Sequence, residues 1–165
     1  MDVSLPNAIA ENANGDILVI GYGNDLRHDD GAGRCVADAI EKQRLDGVLN
    51  GVTVRSIPQL VPELIADLGA ASHVVFVDAA VRGTNAQVTT ELIVPAAGPV
   101  RSHISTPADL LGLMESLELV RPPSYLVTVP AFDLSVGEGL SERGAQAVRV
   151  AITEVSQLIE GLRQE

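Results

Sequence analysis

At 165 residues the chain has the length of one domain and can bury a real core. Hydrophobic residues make up 46% and charged residues 20%, which excludes a disordered segment, a collagen-like fibre and a highly charged coiled coil. With 22 Asp+Glu against 11 Lys+Arg the formal net charge is -11, a field that opposes polyphosphates and anionic lipid, so neither nucleic acid nor membrane is an expected partner. Tyr22, Phe76, Tyr125 and Phe132 are the only aromatic residues, so the core must be aliphatic and base-stacking platforms lack material. Cys35 is the single cysteine, which removes internal disulfides and multi-thiolate metal sites and suits a reducing compartment. The opening stretch carries acids in place of a basic n-region and no long apolar run, and no segment approaches the roughly 20 residues of a membrane span. The expectation is a cytoplasmic monomer.

In chain order, residues 1–16 read as a polar lead-in and 17–165 as a single domain. Ile17 to Ile20 is a continuous apolar run ended by Gly21 and Gly23, the pattern of a strand buried on both faces. Ala32, Val36, Ala37 and Ile40 then recur at helical spacing to about Gln43. Val52 to Ile57 predicts a second strand. Pro62, placed as a first-turn proline, opens a helix through Leu64, Ile65 and Leu68 that Gly69 closes, and Val74 to Val77 predicts a third strand. Val88 to Val94 reads as a fourth strand. Thr106-Pro107-Ala108-Asp109 opens a helix over Leu110 to Leu117, and Tyr125 to Val129 predicts a fifth strand. From Ser141 to about Leu162, Val148, Ala151, Ile152, Val155, Leu158, Ile159 and Leu162 share one helical stripe. Strands alternating with helices predict a three-layer α/β/α domain around a mostly parallel, mixed sheet of about five strands. Ligands in such sheets sit beyond the carboxyl ends of the strands, so polar residues there are the first candidates for chemistry.

Three clusters qualify. After the first strand comes Gly21-Tyr22-Gly23-Asn24-Asp25-Leu26-Arg27-His28-Asp29-Asp30-Gly31-Ala32-Gly33. Leu26 occupies the third glycine of a dinucleotide fingerprint, and Asp25, Asp29 and Asp30 would repel a pyrophosphate, so a cation suits this loop better. One of Asp29 and Asp30 can serve as an ordinary helix cap, which leaves the other spare. Asp78 follows the third apolar run and reads either as a group presented at the sheet edge or as a turn residue. In the third cluster, Arg101 to Asp109, Thr106, Pro107 and Asp109 make a helix start, and His103 lies just outside it. Taken singly, His103, His28 and His73 each read as surface histidines. Together, Asp30, Asp78 and His103 could meet at one end of the sheet as an open coordination set for a divalent transition metal, two carboxylates balancing its charge and an imidazole adding a softer donor.

The run Gly21-x-Gly23-Asn24 with Asp29-Asp30-Gly31-x-Gly33 resembles the opening motif of the [NiFe]-hydrogenase maturation endopeptidases. The resemblance continues through Gln59-Leu60-x-Pro62-Glu63-Leu64, Val77-Asp78-Ala79, and Ser102-His103 leading to Asp109-Leu110-Leu111, covering about residues 17 to 160. It implies an α/β peptidase that removes a C-terminal extension from the hydrogenase large-subunit precursor after nickel insertion. It further implies that Asp30, Asp78 and His103 are the metal-contacting and catalytic residues, and that the nickel belongs to the substrate. Members often carry Glu where Asp30 stands, and a Pro often follows the Ser that precedes the last helix, where this chain has Glu142.

Cys35 falls inside the first helix and reads as a small packed residue, and no nucleophile elbow marks a serine, so the reading favours attack by water with nickel as template and Lewis acid. Two alternatives stand beside it: a noncatalytic α/β domain that binds a small molecule, and an acidic metallochaperone or adaptor.

Overall fold

The computed structural model describes residues 15–99 and 103–165. The lead-in expected over residues 1–16 lies almost wholly outside them. Strand β1 (Ile17–Tyr22) leads through a 3-10 turn (His28–Gly31) into helix α1 (Ala32–Leu45), then β2 (Val52–Ile57). A second 3-10 turn (Pro62–Leu64) and helix α2 (Ile65–Ala70) precede β3 (His73–Ala80), followed by β4 (Thr89–Leu92), α3 (Pro107–Ser116), β5 (Ser124–Pro130) and α4 (Glu142–Leu162). The strands form one sheet of order β2-β1-β3-β5-β4. All neighbours pair in parallel except β4, which runs antiparallel to β5. No helix among the described residues is long and apolar enough to cross a membrane.

Each sheet face carries its own apolar cluster, and the period-2 alternation of the strands sorts residues between them. Ile17, Val19, Val75, Val77, Val127 and Val129 face α1 and α4, meeting Val36, Ile40, Val148, Val155 and Ile159. Leu18, Ile20, Tyr22, Val74 and Phe76 face the other way, meeting Leu64, Leu68, Leu110, Leu111 and Met114 of the α2 and α3 layer. Both layers being present, β1 is buried at every position, which is why it reads as an unbroken apolar run.

The sequence-based boundaries hold at the core and drift at the edges. β3 runs on through Asp78 to Ala80, because those residues continue to pair with Thr128, Val129 and Pro130 of β5. Asp78 is therefore a strand residue and closes no turn. β4 is shorter than the Val88–Val94 run and exposed throughout, as suits an edge strand with one partner. Gly69 lies inside α2 and does not end it, and the Pro62 turn is 3-10 in form. At α3 the capping box forms as read: the Thr106 side chain accepts from Asp109 N, and the Asp109 carboxylate accepts from Thr106 N at 2.9 Å.

Candidate functional site

Connections leave β1 toward β2 on one side and the chain returns to β3 on the other, so the order reverses between β1 and β3. The crevice beyond the carboxyl ends of those two strands is where an open α/β sheet binds ligands. Asp30 and Asp78 both belong to it.

The loop after β1 is held close to the sheet. A Cβ at Gly33 would collide with the carbonyls of Tyr22 and Val77, so only glycine lets the first turn of α1 approach the strand ends this closely. Gly23 has φ +145, and its open side faces the Asp30 carbonyl. Within this frame the three acids of the loop separate by role. Asp25 forms an ion pair with Arg34 at 2.6 Å. Asp29 is fully buried and caps no helix; its carboxylate accepts from Phe132 N, Asp133 N, Ser141 N and Ser141 Oγ at 2.7 to 3.0 Å. Burial alone would raise its pKa, but these donors outweigh it and hold the carboxyl below the usual range. Asp30 remains at the site, one carboxylate oxygen accepting from Asn24 N at 2.9 Å. The spare acid of the pair is thus Asp30.

Asp78 meets it from β3. The Tyr22 hydroxyl donates to Asp78 Oδ2 at 3.0 Å. Burial raises the Asp78 pKa to about 6, against the hydrogen bonds from Tyr22 and the Ala79 amide, and the Asp30 charge adds to the rise. The Tyr22 phenol is pushed strongly upward, through burial first and the Asp78 charge second, so it stays protonated and donates to Asp78. The two carboxylates are thus close enough for the Asp30 charge to be felt at Asp78. Tyr22 is a site residue that the sequence reading left without a role; the signal was a hydroxyl-bearing aromatic between two glycines at a strand's carboxyl end.

His103 is exposed in the loop ahead of α3, beside Ile104, which packs on the cluster that also holds Tyr22 and Leu60. Among the described residues no group of three His, Cys, Asp or Glu side chains is gathered closely enough to hold a metal ion, so Asp30 and Asp78 come together without His103 completing a coordination set. The other histidines serve elsewhere. His28 Nδ1 lies 2.8 Å from the Gly139 carbonyl, and its ring fills the space beside Gly137. His73 begins β3, at the opposite end of the strand from Asp78. Cys35 packs against the α1 and α4 cluster, with its thiol pushed up by burial and by Asp25 and Asp38, as a packed and unreactive residue should be. An open groove of about 390 Å³ runs along α4 past Phe132, Arg143 and Val150, and its lining includes none of Asp30, Asp78 and His103.

No known protein-family profile matches the sequence, and no curated protein matches it. Solved structures do. The [NiFe] hydrogenase maturation protease HybD from Thermococcus kodakarensis superposes with a TM-score of 0.66 at 20% identity, covering 87% of this chain and 99% of that one. The hydrogenase maturating endopeptidase HybD from E. coli gives 0.66 at 21%, covering 88% and 93%. A hydrogenase 2 maturation peptidase from a Thaumarchaeota archaeon gives 0.64 at 21%, covering 87% and 97%. Over nearly its full described length, then, the chain carries the α/β fold of the [NiFe] hydrogenase maturation proteases.

Proposed function

We propose that this protein is a hydrogenase maturation endopeptidase, which removes the C-terminal extension of a [NiFe]-hydrogenase large-subunit precursor once nickel is in place. The observation that carries the reading is the meeting of Asp30 and Asp78 at the reversal point of a sheet shared with maturation proteases. In this reading the nickel is part of the substrate. Asp30 and Asp78 meet its positive charge, and His103, in the loop ahead of α3, supplies a nitrogen donor when precursor docks. The reaction is hydrolysis: the oxygen of a water bonds to the scissile carbonyl carbon, the carbon–nitrogen bond breaks, and the leaving nitrogen takes a proton. The products are a new carboxyl terminus and a free peptide. Tyr22 holds Asp78 in one orientation throughout.

The test is incubation with nickel-loaded and nickel-free precursor followed by intact-mass measurement. The loaded form should lose its extension and the nickel-free form should stay whole even at excess enzyme. Cleavage of both at equal rates would refute the dependence on substrate nickel, and cleavage of neither would refute the peptidase reading.

A further inference from the structure

The groove along α4 holds none of the reacting groups, yet one end of it is tied to the site. Its lining draws on three places: Val88 ahead of β4, Phe132 just past the carboxyl end of β5, and Arg143, Ala147, Val150 and Glu154 on α4. Val88 and Ala147 also pack against the cluster under α1 and α4, so the groove lies on that face of the sheet and has an apolar floor. Val150 is 52% exposed, an apolar side chain left to water. The Arg143 guanidinium sits over the Phe132 ring, 4.0 Å from its centre, and donates to the Thr84 carbonyl. The link to the site runs through Asp29. Phe132 N donates to the Asp29 carboxylate, and Gly144, next to Arg143 in the chain, lies against the same carboxylate. Both walls at this end are therefore fixed to the neighbour of Asp30. Ala131 N, one residue before Phe132, donates to the carbonyl of Ala80, two residues past Asp78. Glu154 stands three helical turns beyond Arg143, about 16 Å along α4, so the groove leads away from the site.

We propose that this groove binds the C-terminal extension of the precursor as an extended chain, with an apolar side chain against Val150 and a carboxylate on Arg143. The inference rests on the peptidase reading above and adds to it where the released segment lies and what chemistry it carries. Size selects the occupant: about 390 Å³ admits a few residues of extended chain and no folded body. The nickel-bearing body of the precursor has to face Asp30 and Asp78, which leaves the chain beyond the scissile bond to run past Phe132 and along α4. Charge selects its composition. Arg143 is exposed, is the one basic residue lining the groove, and has more N–H donors than its Thr84 contact uses, so a carboxylate is the complementary group at the end nearest the site. Glu154 disfavours a second acid at the far end. Arg143 and Val150 are thus specificity-determining residues and take no part in breaking the bond.

The experiment titrates the protein into a labelled synthetic peptide that spans the precursor from the first residue after the scissile bond to its terminus, followed by fluorescence anisotropy. The unaltered protein should bind it saturably. Val150→Glu should weaken binding at least tenfold and Arg143→Gln at least threefold, while Val48→Glu, at a 67% exposed position outside the groove, should bind as the parent does. A peptide with every carboxylate replaced by an amide should lose as much on the unaltered protein and nothing further on Arg143→Gln. On nickel-loaded precursor, Val150→Glu should raise KM at least tenfold with kcat within twofold. No saturable binding, parental affinity or parental KM in Val150→Glu, an equal loss in Val48→Glu, or indifference to amidation would each overturn the assignment. So would a concentration-dependent dimer that Val150→Glu dissolves, which would give the groove to a second copy of the chain. If the unaltered protein cuts no loaded precursor, the peptidase reading fails instead, and the peptide titrations still decide whether the groove takes this segment.

Discussion

Asp78 is held in a place that disfavours its charge, and the consequences for stability and activity run in opposite directions. A carboxyl whose folded pKa is raised contributes stability that is full below its unfolded value, near 3.9, and is lost as pH rises through about 6. At neutral pH the ionised, mostly buried group therefore costs the fold on the order of 1–3 kcal/mol. Asp78→Asn should accordingly raise the melting temperature at pH 7.5, with the gain vanishing near pH 4, while processing is abolished. If the parent protein processes precursor as proposed, kcat/KM should rise with pH through about 6 as Asp78 ionises. A variant that melts lower at pH 7.5, or a profile flat across that range, would contradict the assignment. Asp30→Asn and His103→Ala should stop processing with melting within a few degrees of the parent, since both side chains lie at the surface of the site and outside the core clusters. At this scale the sequence named Asp30 and Asp78 from their places after strands. It left Asp29 and Asp30 equal as candidate helix caps, because the role of Asp29 depends on amides of residues 132, 133 and 141, more than a hundred positions away.

Among the elements, Asp29 ties the loop after β1 to the segment that launches α4. Its partner Ser141 is also the N-cap of that helix, accepting from Gly144 N at 2.9 Å while donating its hydroxyl proton to Asp29. The Gly144 backbone lies against the same carboxylate, and a Cβ there would collide with it. Around this point, His28 N bonds Gly137 O and Gly137 N bonds Leu26 O, so the two loops are stitched along their backbones as well. Replacing Asp29 by Asn puts an amide NH2 group where donors converge and should cost about 3 kcal/mol. The sign with pH follows from the lowered pKa of Asp29: its contribution is present above the unfolded value near 3.9 and is lost as pH falls through the lower folded value. The gap in stability between parent and Asp29→Asn should therefore close on acidification, as denaturant titrations at pH 7 and pH 3 would show. An unchanged gap would mean that the carboxylate contributes by packing alone. Helices and strands were legible because their apolar periodicity is local. The Asp29 staple was not, since Ser141 read only as the start of the last helix.

For the whole molecule, the -11 charge and the acids at the sheet edge favour a cation brought by a partner, yet two carboxylates and an exposed loop histidine leave an isolated ion largely hydrated. Free Ni²⁺ should bind the protein alone weakly, in the high micromolar range or above by calorimetry. Chelator treatment of the protein before addition of loaded precursor should leave the rate of processing unchanged. A tightly held resident metal, with activity lost on chelation, would keep Asp30 and Asp78 at the site but move the metal from substrate to enzyme. By itself the sequence determined the α/β class, the five strands, the capping of α3 and the two acids at strand ends, because these follow from the spacing of apolar residues and from turn chemistry within a few positions. Only the tertiary structure decided that β4 pairs antiparallel at the edge, that Asp29 is a buried staple, and that Tyr22 on β1 bonds Asp78 on β3. Those outcomes depend on which strands become neighbours and in what register, a choice settled by long-range packing of both sheet faces, and no local pattern encodes it.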